Sequence, residues 1–118
     1  DVLAGIMRQF TRTGGRSFLT VLKRFGPANE APLSFPLAGW TLTVDVPVGD
    51  PDLPRLLDRF DEQVAEVGGR IYLAKDARMR PELLAAMYPR LAEWQEVRAS
   101  VDPHGLIRSD LSERLGLS

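Results

Sequence analysis

The stretch of residues 68–78, Gly-Gly-Arg-Ile-Tyr-Leu-Ala-Lys-Asp-Ala-Arg, constrains the fold of this chain more than any other segment. A glycine pair stops a preceding helix, because Gly readily adopts the left-handed conformation in which helices end. The β-branched and aromatic residues that follow are typical of a strand, and Lys75 stands where that pattern ends. Such a lysine is either a surface ion-pair partner, here of Asp76 or Asp45, or a functional cation beside a site.

Residues 18–25 alternate in the manner of a strand, which puts Lys23 and Phe25 on the same face. A lysine on a sheet edge also discourages aggregation, so this interpretation of Lys23 stays open beside a binding role. The following residues 26–39, which include Asn29, are rich in Pro and Gly and predict an ordered loop. A stiff loop of that length often covers a functional site.

The segment 40–46 alternates as well. Its pattern places Trp40 on a core-facing side, together with three aliphatic residues. Thr41 and Thr43 fall on the opposite side, where a polar cavity would accept them. The sequence thus predicts a second strand with one apolar and one polar face.

Amphipathic spacing predicts helices on both sides of these strands. Residues 2–11 form a short helix, and a longer one opens at Asp50-Pro51-Asp52 and ends at Gly68. The acidic residues of the longer helix lie away from its apolar stripe and are assigned to a solvated face: Asp58, Asp61, Glu62 and Glu66.

Beyond Arg78 the chain is predicted to be helical to its end, with Ser109 as the cap of a last short helix and residues 102–118 as a C-terminal tail. The order of elements is that of an α+β domain, a small antiparallel sheet covered by helices. A sheet of three strands with one solvent-exposed face is an incomplete layer of structure. We therefore expect this chain to expose apolar surface on at least one sheet edge.

Composition narrows the classes of function. A length of 118 residues suits one domain, and a formal net charge of -1 gives no reason to expect nucleic acid as a partner. The absence of cysteine excludes disulfides and thiol chemistry, and the single histidine, His104, builds neither a metal site nor a catalytic triad. No apolar run approaches the length of a bilayer span. We expect a cytoplasmic location, with peripheral membrane association as the alternative.

A series of motifs occurs in a fixed order along nearly the whole chain. Besides residues 68–78, they are Ser-Phe-Leu-Thr-Val-Leu-Lys-Arg-Phe-Gly-Pro (17–27), Ala-Pro-Leu-Ser-Phe-Pro-Leu-Ala-Gly-Trp (31–40), Met-Tyr-Pro-Arg with a following Trp (87–94), Val-Asp-Pro (101–103) and Ser-Asp-Leu-Ser-Glu-Arg-Leu (109–115). Together they resemble the C-terminal portion of FAD-linked oxidases of the vanillyl-alcohol oxidase superfamily. Within this superfamily, the motifs most closely resemble those of decaprenylphosphoryl-β-D-ribose oxidase-like proteins.

The resemblance implies that residues 1–118 are the C-terminal substrate, or cap, region of a larger flavoprotein whose FAD-binding domain lies outside this chain. It implies oxidation of a secondary alcohol of a sugar-like substrate, with hydride transfer to FAD. Lys75 would lie near flavin and substrate, as proton acceptor or as stabiliser of the developing alkoxide and reduced flavin. Lys23 would bind an anionic part of the substrate, such as a phosphate. The pocket would be shaped by Phe25, Asn29, Thr41, Thr43 and Tyr72.

Tyr72 and Lys75 are three residues apart, so on a regular strand they point to opposite faces, and the strand has to end or bulge near Ala74 for both to reach the pocket. Related sugar-lactone oxidases have a His-Trp-x-Lys signature here. This chain keeps only the lysine, which points to the decaprenylphosphoryl-ribose branch and away from the lactone oxidases.

The competing hypothesis is a non-catalytic binding or interaction module that retains the family scaffold. It is favoured by the absence of an FAD-binding domain from this chain and by Thr41 and Thr43, where relatives carry Asn and Cys. For the enzyme, the expected partners are a sugar-like small molecule and the rest of its own polypeptide. A lipid-linked sugar phosphate is one candidate for the small molecule. A homo-oligomer is the further expectation, and no nucleic acid is expected.

Overall fold

One two-stranded antiparallel sheet and five α-helices make up residues 2–117, the part of the chain that the computed structural model describes. The elements in order are α1 (Val2–Arg12), β1 (Thr20–Phe25), β2 (Gly39–Val44), α2 (Leu53–Glu66), α3 (Leu84–Met87), α4 (Leu91–Val101) and α5 (Asp110–Arg114), with 3₁₀ turns at Leu73–Lys75 and Pro81–Leu83. The predicted α+β class with an incomplete antiparallel sheet is confirmed.

The register of the sheet brings its polar residues to one face. Lys23 lies opposite Thr41, and Val21 lies opposite Thr43. Residues directly opposite in an antiparallel pair share a face, and Phe25 shares it with Lys23 because they are two residues apart. The alternation predicted for both strands is therefore confirmed, although β1 and β2 are shorter than the predicted segments 18–25 and 40–46.

Trp40 is exposed, so its assignment to the core is wrong. The Trp40 side chain lies on the same face of β2 as that of Val44, but at the other end of the strand. Val44 packs against buried residues of α1 and α2. The Trp40 ring is 58% exposed and lies 5.9 Å from the guanidinium of its cross-strand partner Arg24. The alternation assigned Trp40 to the correct face, but the helices cover only one end of that face.

The third strand predicted before Lys75 does not form within the described residues. The chain instead makes a 3₁₀ turn at Leu73–Lys75, in which the Lys75 N–H donates to the Tyr72 carbonyl. The Ile71 carbonyl accepts the Tyr88 hydroxyl over 2.6 Å, and the Ile71 N–H faces the Met87 sulfur at 3.4 Å. Side chains of α3 and its C-terminal end thus bond this backbone in place of a sheet partner. The apolar residues that predicted a strand pack into the core without pairing.

The glycine pair ends α2 as predicted. Gly68 has a φ of 71°, and its N–H donates to Ala65 O. The Gly69 N–H donates to Val64 O over 2.8 Å, which is the six-residue hydrogen bond of a Schellman motif at a helix C-terminus. This reversal directs the following segment back along α2 toward the sheet.

Buried apolar residues form two clusters that meet at Val64, which packs against both. The first joins α1 to α2 under the apolar face of the sheet, and the second gathers the C-terminal helices around Tyr88. The buried members of the first are Ile6, Phe10, Leu56 and Phe60, and those of the second are Met79, Leu84, Met87, Tyr88, Leu115 and Leu117.

Asp61 is buried, so its assignment to a solvated face is wrong. Arg78, in the segment after the 3₁₀ turn, donates to Asp58 over 2.6 Å and to Asp61 over 2.7 Å. Burial raises the pKa of Asp61, and the adjacent Arg78 only partly offsets that rise. Helical periodicity cannot anticipate this arrangement, because the cation comes from a different part of the chain.

The last helix begins as predicted. The Ser109 hydroxyl accepts the N–H of Ser112 over 3.1 Å, and the Ser112 hydroxyl accepts the N–H of Ser109 over 2.8 Å. This reciprocal capping orients α5, because two backbone donors at its start are satisfied. At the other end of α5, the Arg114 side chain contacts Asp76.

Candidate functional site

An open cavity of about 560 Å³ lies between the polar face of the sheet and the segment that leads into the 3₁₀ turn. Every residue predicted for the site lines this cavity except Asn29. These residues are Lys23, Phe25, Thr41, Thr43, Tyr72 and Lys75. The structure thus brings together side chains from three separate parts of the sequence, while their roles stay a prediction.

Two local structures produce this convergence. The strand register puts Lys23 and Thr41 side by side on one face of the sheet. Tyr72 and Lys75 reach the same cavity because residues three apart in a 3₁₀ turn lie above one another. The predicted requirement that the strand pattern stop near Ala74 is met by a helical turn and not by a bulge.

An aromatic wall closes one side of the cavity. The Phe25 and Phe35 rings meet edge to face with centroids 5.7 Å apart, and Phe35 lies 4.9 Å from the Tyr72 ring. Phe35 is a site residue that our sequence reasoning missed. The available signal was its place as the only aromatic residue of the predicted loop 26–39, directly before Pro36.

Both lysines of the cavity lack an ion-pair partner among residues 2–117. Lys23 and Lys75 are both solvent-exposed, and neither side chain donates a hydrogen bond within that range. The surface pair of Lys75 with Asp76 or Asp45 is therefore not formed. Asp76 binds Arg114 over 2.7 Å instead. The two ammonium groups remain available to a ligand.

Arg70 is a second cavity residue that our sequence reasoning missed. Its guanidinium lies 5.3 Å from the centre of the Tyr88 ring, and one Nη donates to the Ser34 carbonyl. Its Nε is buried without a partner in the described chain. Arg70 thereby fastens the loop that carries Phe35 to the segment that carries Tyr72. Its place directly after the glycine pair is the only sequence signal.

Asn29 lies away from this cavity. It is exposed in the loop between the strands, and its Oδ1 accepts the N–H of Ala31 over 3.0 Å. That contact is an Asx turn, a local arrangement that shapes the loop. A substrate contact of Asn29 stays a prediction.

Two polar groups behind the cavity have shifted pKa values. Burial alone would raise the pKa of Asp76, but the backbone N–H groups of Arg78 and Met79 and the Arg114 guanidinium outweigh burial and lower it. Burial raises the pKa of Tyr88 to about 12. At physiological pH Asp76 is therefore ionised and Tyr88 is a neutral hydrogen-bond donor. Neither residue changes its protonation state in that pH range.

The donors of the cavity lining are chemically compatible with the reacting edge of a flavin ring. An unpaired Lys75 ammonium beside an aromatic wall suits a ring edge or a sugar hydroxyl. The sequence carries no glycine-rich phosphate-binding motif, so we assign no residue of this chain to the pyrophosphate of FAD.

Residues 2–117 contain no group of His, Asp and Glu side chains that could hold a metal ion. Nor does any helix in that part of the chain have the length and apolarity needed to cross a membrane.

Comparison with known families identifies the family of this chain. The profile of the D-arabinono-1,4-lactone oxidase family matches residues 22–115, a range that contains every predicted site residue. The chain therefore belongs to this family of FAD-linked oxidases. The resemblance inferred from the motifs is confirmed at the level of the family.

Two relatives are similar over nearly the whole chain. An uncharacterized protein in the mprA 5' region of Streptomyces coelicolor is 48% identical over 117 residues, which cover 99% of this chain and 32% of that protein. The decaprenylphosphoryl-beta-D-ribose oxidase of Mycolicibacterium smegmatis is 48% identical over 112 residues, which cover 95% of this chain and 24% of that protein. The chain thus spans a third or less of the length of these relatives. The family and the second relative are named for different substrates, a lactone and a lipid-linked ribose.

Proposed function

We propose that this chain is the substrate-binding part of an FAD-dependent oxidoreductase that oxidises a secondary alcohol of a sugar-like substrate. The observation that carries the proposal is the convergence of two unpaired ammonium groups and two threonine hydroxyls on one cavity with an aromatic wall. Hydroxyls and ammonium groups donate to the oxygens of a sugar, and aromatic rings pack on its apolar faces.

Lys75 handles the proton in this proposal. Oxidation of a carbinol removes a hydride from carbon and a proton from oxygen, and it leaves a ketone. FAD, when bound, accepts the hydride. A neutral Lys75 amine accepts the hydroxyl proton, whereas the ammonium form stabilises the developing alkoxide by charge and hydrogen bonding.

Lys23 binds an anionic group of the substrate. It lines the same cavity as Lys75 from the sheet side, beside Thr41. The name of the Mycolicibacterium smegmatis relative specifies a phosphoryl group on its ribose. A phosphate would accept hydrogen bonds from both the Lys23 ammonium and the Thr41 hydroxyl. On this basis we prefer a phosphorylated or lipid-linked sugar to a lactone.

The exposed apolar surface of the sheet is assigned to the remainder of the polypeptide. Leu22 in β1 and Phe18, two residues before that strand, are largely exposed, and a two-stranded sheet leaves the outer edge of each strand without a partner strand. Large exposed apolar groups at an open sheet edge favour a covering segment. In this proposal that segment also brings FAD to the cavity.

The test uses the full-length protein in wild-type form and as Lys75→Met. Anaerobic mixing with candidate sugar phosphates should bleach the oxidised-flavin absorption of the wild type. In Lys75→Met we expect the flavin to remain bound and its reduction to slow by a factor of about 100 or more, the usual loss on removing a general acid or base. Arg24→Met is the matched control, because Arg24 lies beside Lys23 on the opposite face.

Two results would overturn the proposal. Reduction of Lys75→Met at the wild-type rate would remove the lysine from the chemistry. A colourless full-length protein that FAD does not reconstitute would favour the non-catalytic binding module.

A further inference from the structure

Arg114, in the last helix, reaches across to the turn that carries Lys75. One Nη donates to the Asp76 carboxylate over 2.7 Å, and the other donates to the Met79 carbonyl over 2.6 Å. Asp76 and Met79 are the two ends of the turn that follows Lys75. The planar guanidinium therefore bridges that turn, which a lysine with one point charge would not do as well.

Asp76 is bound from three sides. Besides Arg114, its carboxylate accepts the N–H of Arg78 over 3.0 Å and the N–H of Met79 over 2.8 Å. Its side chain is only 4% exposed. A buried carboxylate with this many donors has one position, because any displacement would leave a charge without its hydrogen bonds.

The same turn is held on its other side by α2. Arg78 donates to Asp58 and Asp61, so the segment after Lys75 is tied both to α2 and to the C-terminal helix. Among residues 2–117, no ion pair holds the Lys75 side chain itself. The position of its ammonium group therefore depends on how firmly the backbone beneath it is held.

We propose that Asp76 and Arg114 form a positioning pair for Lys75, which makes α5 part of the machinery that places the proton-handling group. This inference rests on the proposed function of Lys75. Neither Asp76 nor Arg114 lines the cavity itself, so both act through the backbone of the turn that follows Lys75. A misplacement of a reacting group by about 1 Å costs about 100-fold in rate, so a small shift of this turn is enough.

The test compares Arg114→Met with Arg108→Met in the full-length protein. Arg108 is exposed in the same C-terminal segment, and its guanidinium donates only to Gly105 O among the described residues. In Arg114→Met we expect the limiting rate of flavin reduction to fall about 10- to 100-fold, with an unchanged dissociation constant for substrate, because Lys23 and Thr41 are untouched. Arg108→Met should behave as wild type.

Hydrogen exchange gives a readout that does not depend on turnover. The amides of Arg78 and Met79 are bonded by Asp76, so they should exchange faster in Arg114→Met and stay slow in Arg108→Met. Arg114→Lys keeps a positive charge beside the Asp76 carboxylate but loses the second hydrogen bond, to the Met79 carbonyl. It should recover part of the rate, which a purely global loss of stability would not predict.

The outcomes separate this proposal from the one it rests on. If Lys75→Met reduces flavin normally, the proposed function fails. If Lys75→Met is inactive while Arg114→Met keeps the wild-type limiting rate and slow exchange at residues 78–79, the positioning pair alone is overturned. If Arg114→Met does not fold, Arg114→Lys decides, and a wild-type rate with unchanged exchange would overturn the pair.

Discussion

The backbone N–H of Lys75 donates to the carbonyl oxygen of Tyr72 over 3.0 Å, and this bond closes the 3₁₀ turn at the edge of the cavity. Residues three apart lie on the same side of such a turn, whereas on a strand they point to opposite faces. Both side chains line the cavity for that reason. A local choice between two backbone conformations thus decides whether the site has its central cation.

Lys23→Met should raise the KM for a phosphorylated substrate about 10- to 100-fold and leave kcat unchanged. A hydrogen bond to a charged group contributes about 1.5–3 kcal/mol, and about 1.4 kcal/mol corresponds to a factor of ten in affinity. Lys23 binds the substrate without taking part in the chemistry, so the loss falls on binding. Steady-state kinetics with phosphorylated and unphosphorylated forms of one sugar measure the effect.

Arg24→Met is the control for that experiment, since Arg24 neighbours Lys23 in sequence and packs over Trp40 on the other face of the sheet. The same rise in KM in both variants would mean that general charge attraction is responsible. A rise with the unphosphorylated sugar would contradict the assignment of Lys23 to the phosphate.

Gly69→Ala should destabilise the protein by about 1–3 kcal/mol, the usual cost of forcing extra volume into a packed site. A Cβ at Gly69 would lie 2.7 Å from the Val64 side chain and 2.8 Å from the Val64 carbonyl oxygen. The backbone has to move, and Arg70 moves with it. Urea unfolding of the full-length protein measures the change.

Gly26→Ala is the matched control for Gly69→Ala. A Cβ there meets nothing within 4 Å, so its effect should stay within about 0.5 kcal/mol, as for most surface substitutions. Equal unfolding midpoints for the two variants would show that the close approach of Gly69 to α2 is not required.

Asp76→Asn should remove stability at neutral pH and little of it in acid. The folded state lowers the pKa of Asp76 below its ordinary value of 3.8. Between the folded pKa and 3.8, the unfolded state therefore binds more protons than the folded state. The free energy of unfolding therefore rises with pH in that window. The contribution is complete above 3.8 and is lost as the pH falls through the folded pKa.

The measurement is the free energy of unfolding of wild type and Asp76→Asn at a series of pH values. We expect a difference of about 1.5–3 kcal/mol at neutral pH, the range for hydrogen bonds to a charged group, shrinking toward the acid end. Asp110→Asn, at an exposed position of α5, serves as control. A difference that stays constant with pH would mean that the Asp76 charge is not what holds the turn.

Several features could be read from local sequence. The strand alternation located Lys23, Phe25, Thr41 and Thr43 on one face, because a strand has a side-chain period of two whatever surrounds it. Gly68 ended α2 and Ser109 opened α5 for equally local reasons, a left-handed backbone and a side-chain cap.

Contacts between distant segments could not be read in this way. The exposure of Trp40 depends on which part of the sheet the helices reach, and the burial of Asp61 depends on Arg78. The segment before Lys75 has the composition of a strand. It forms none because Tyr88 and Met87 bond backbone groups of Ile71, and no strand among residues 2–117 lies alongside it.

By itself, then, the sequence determined the two strands that pair, the end of α2, the start of α5, the polar face of the sheet and the family, since these follow from short-range periodicity, caps and motifs. Only the tertiary structure decided that Tyr72 and Lys75 share a cavity with Lys23, that Phe35 and Arg70 complete its walls, and that Arg114 braces the turn beneath Lys75. The physical reason is that burial and hydrogen bonding between residues far apart in the chain can override the local preference of either one.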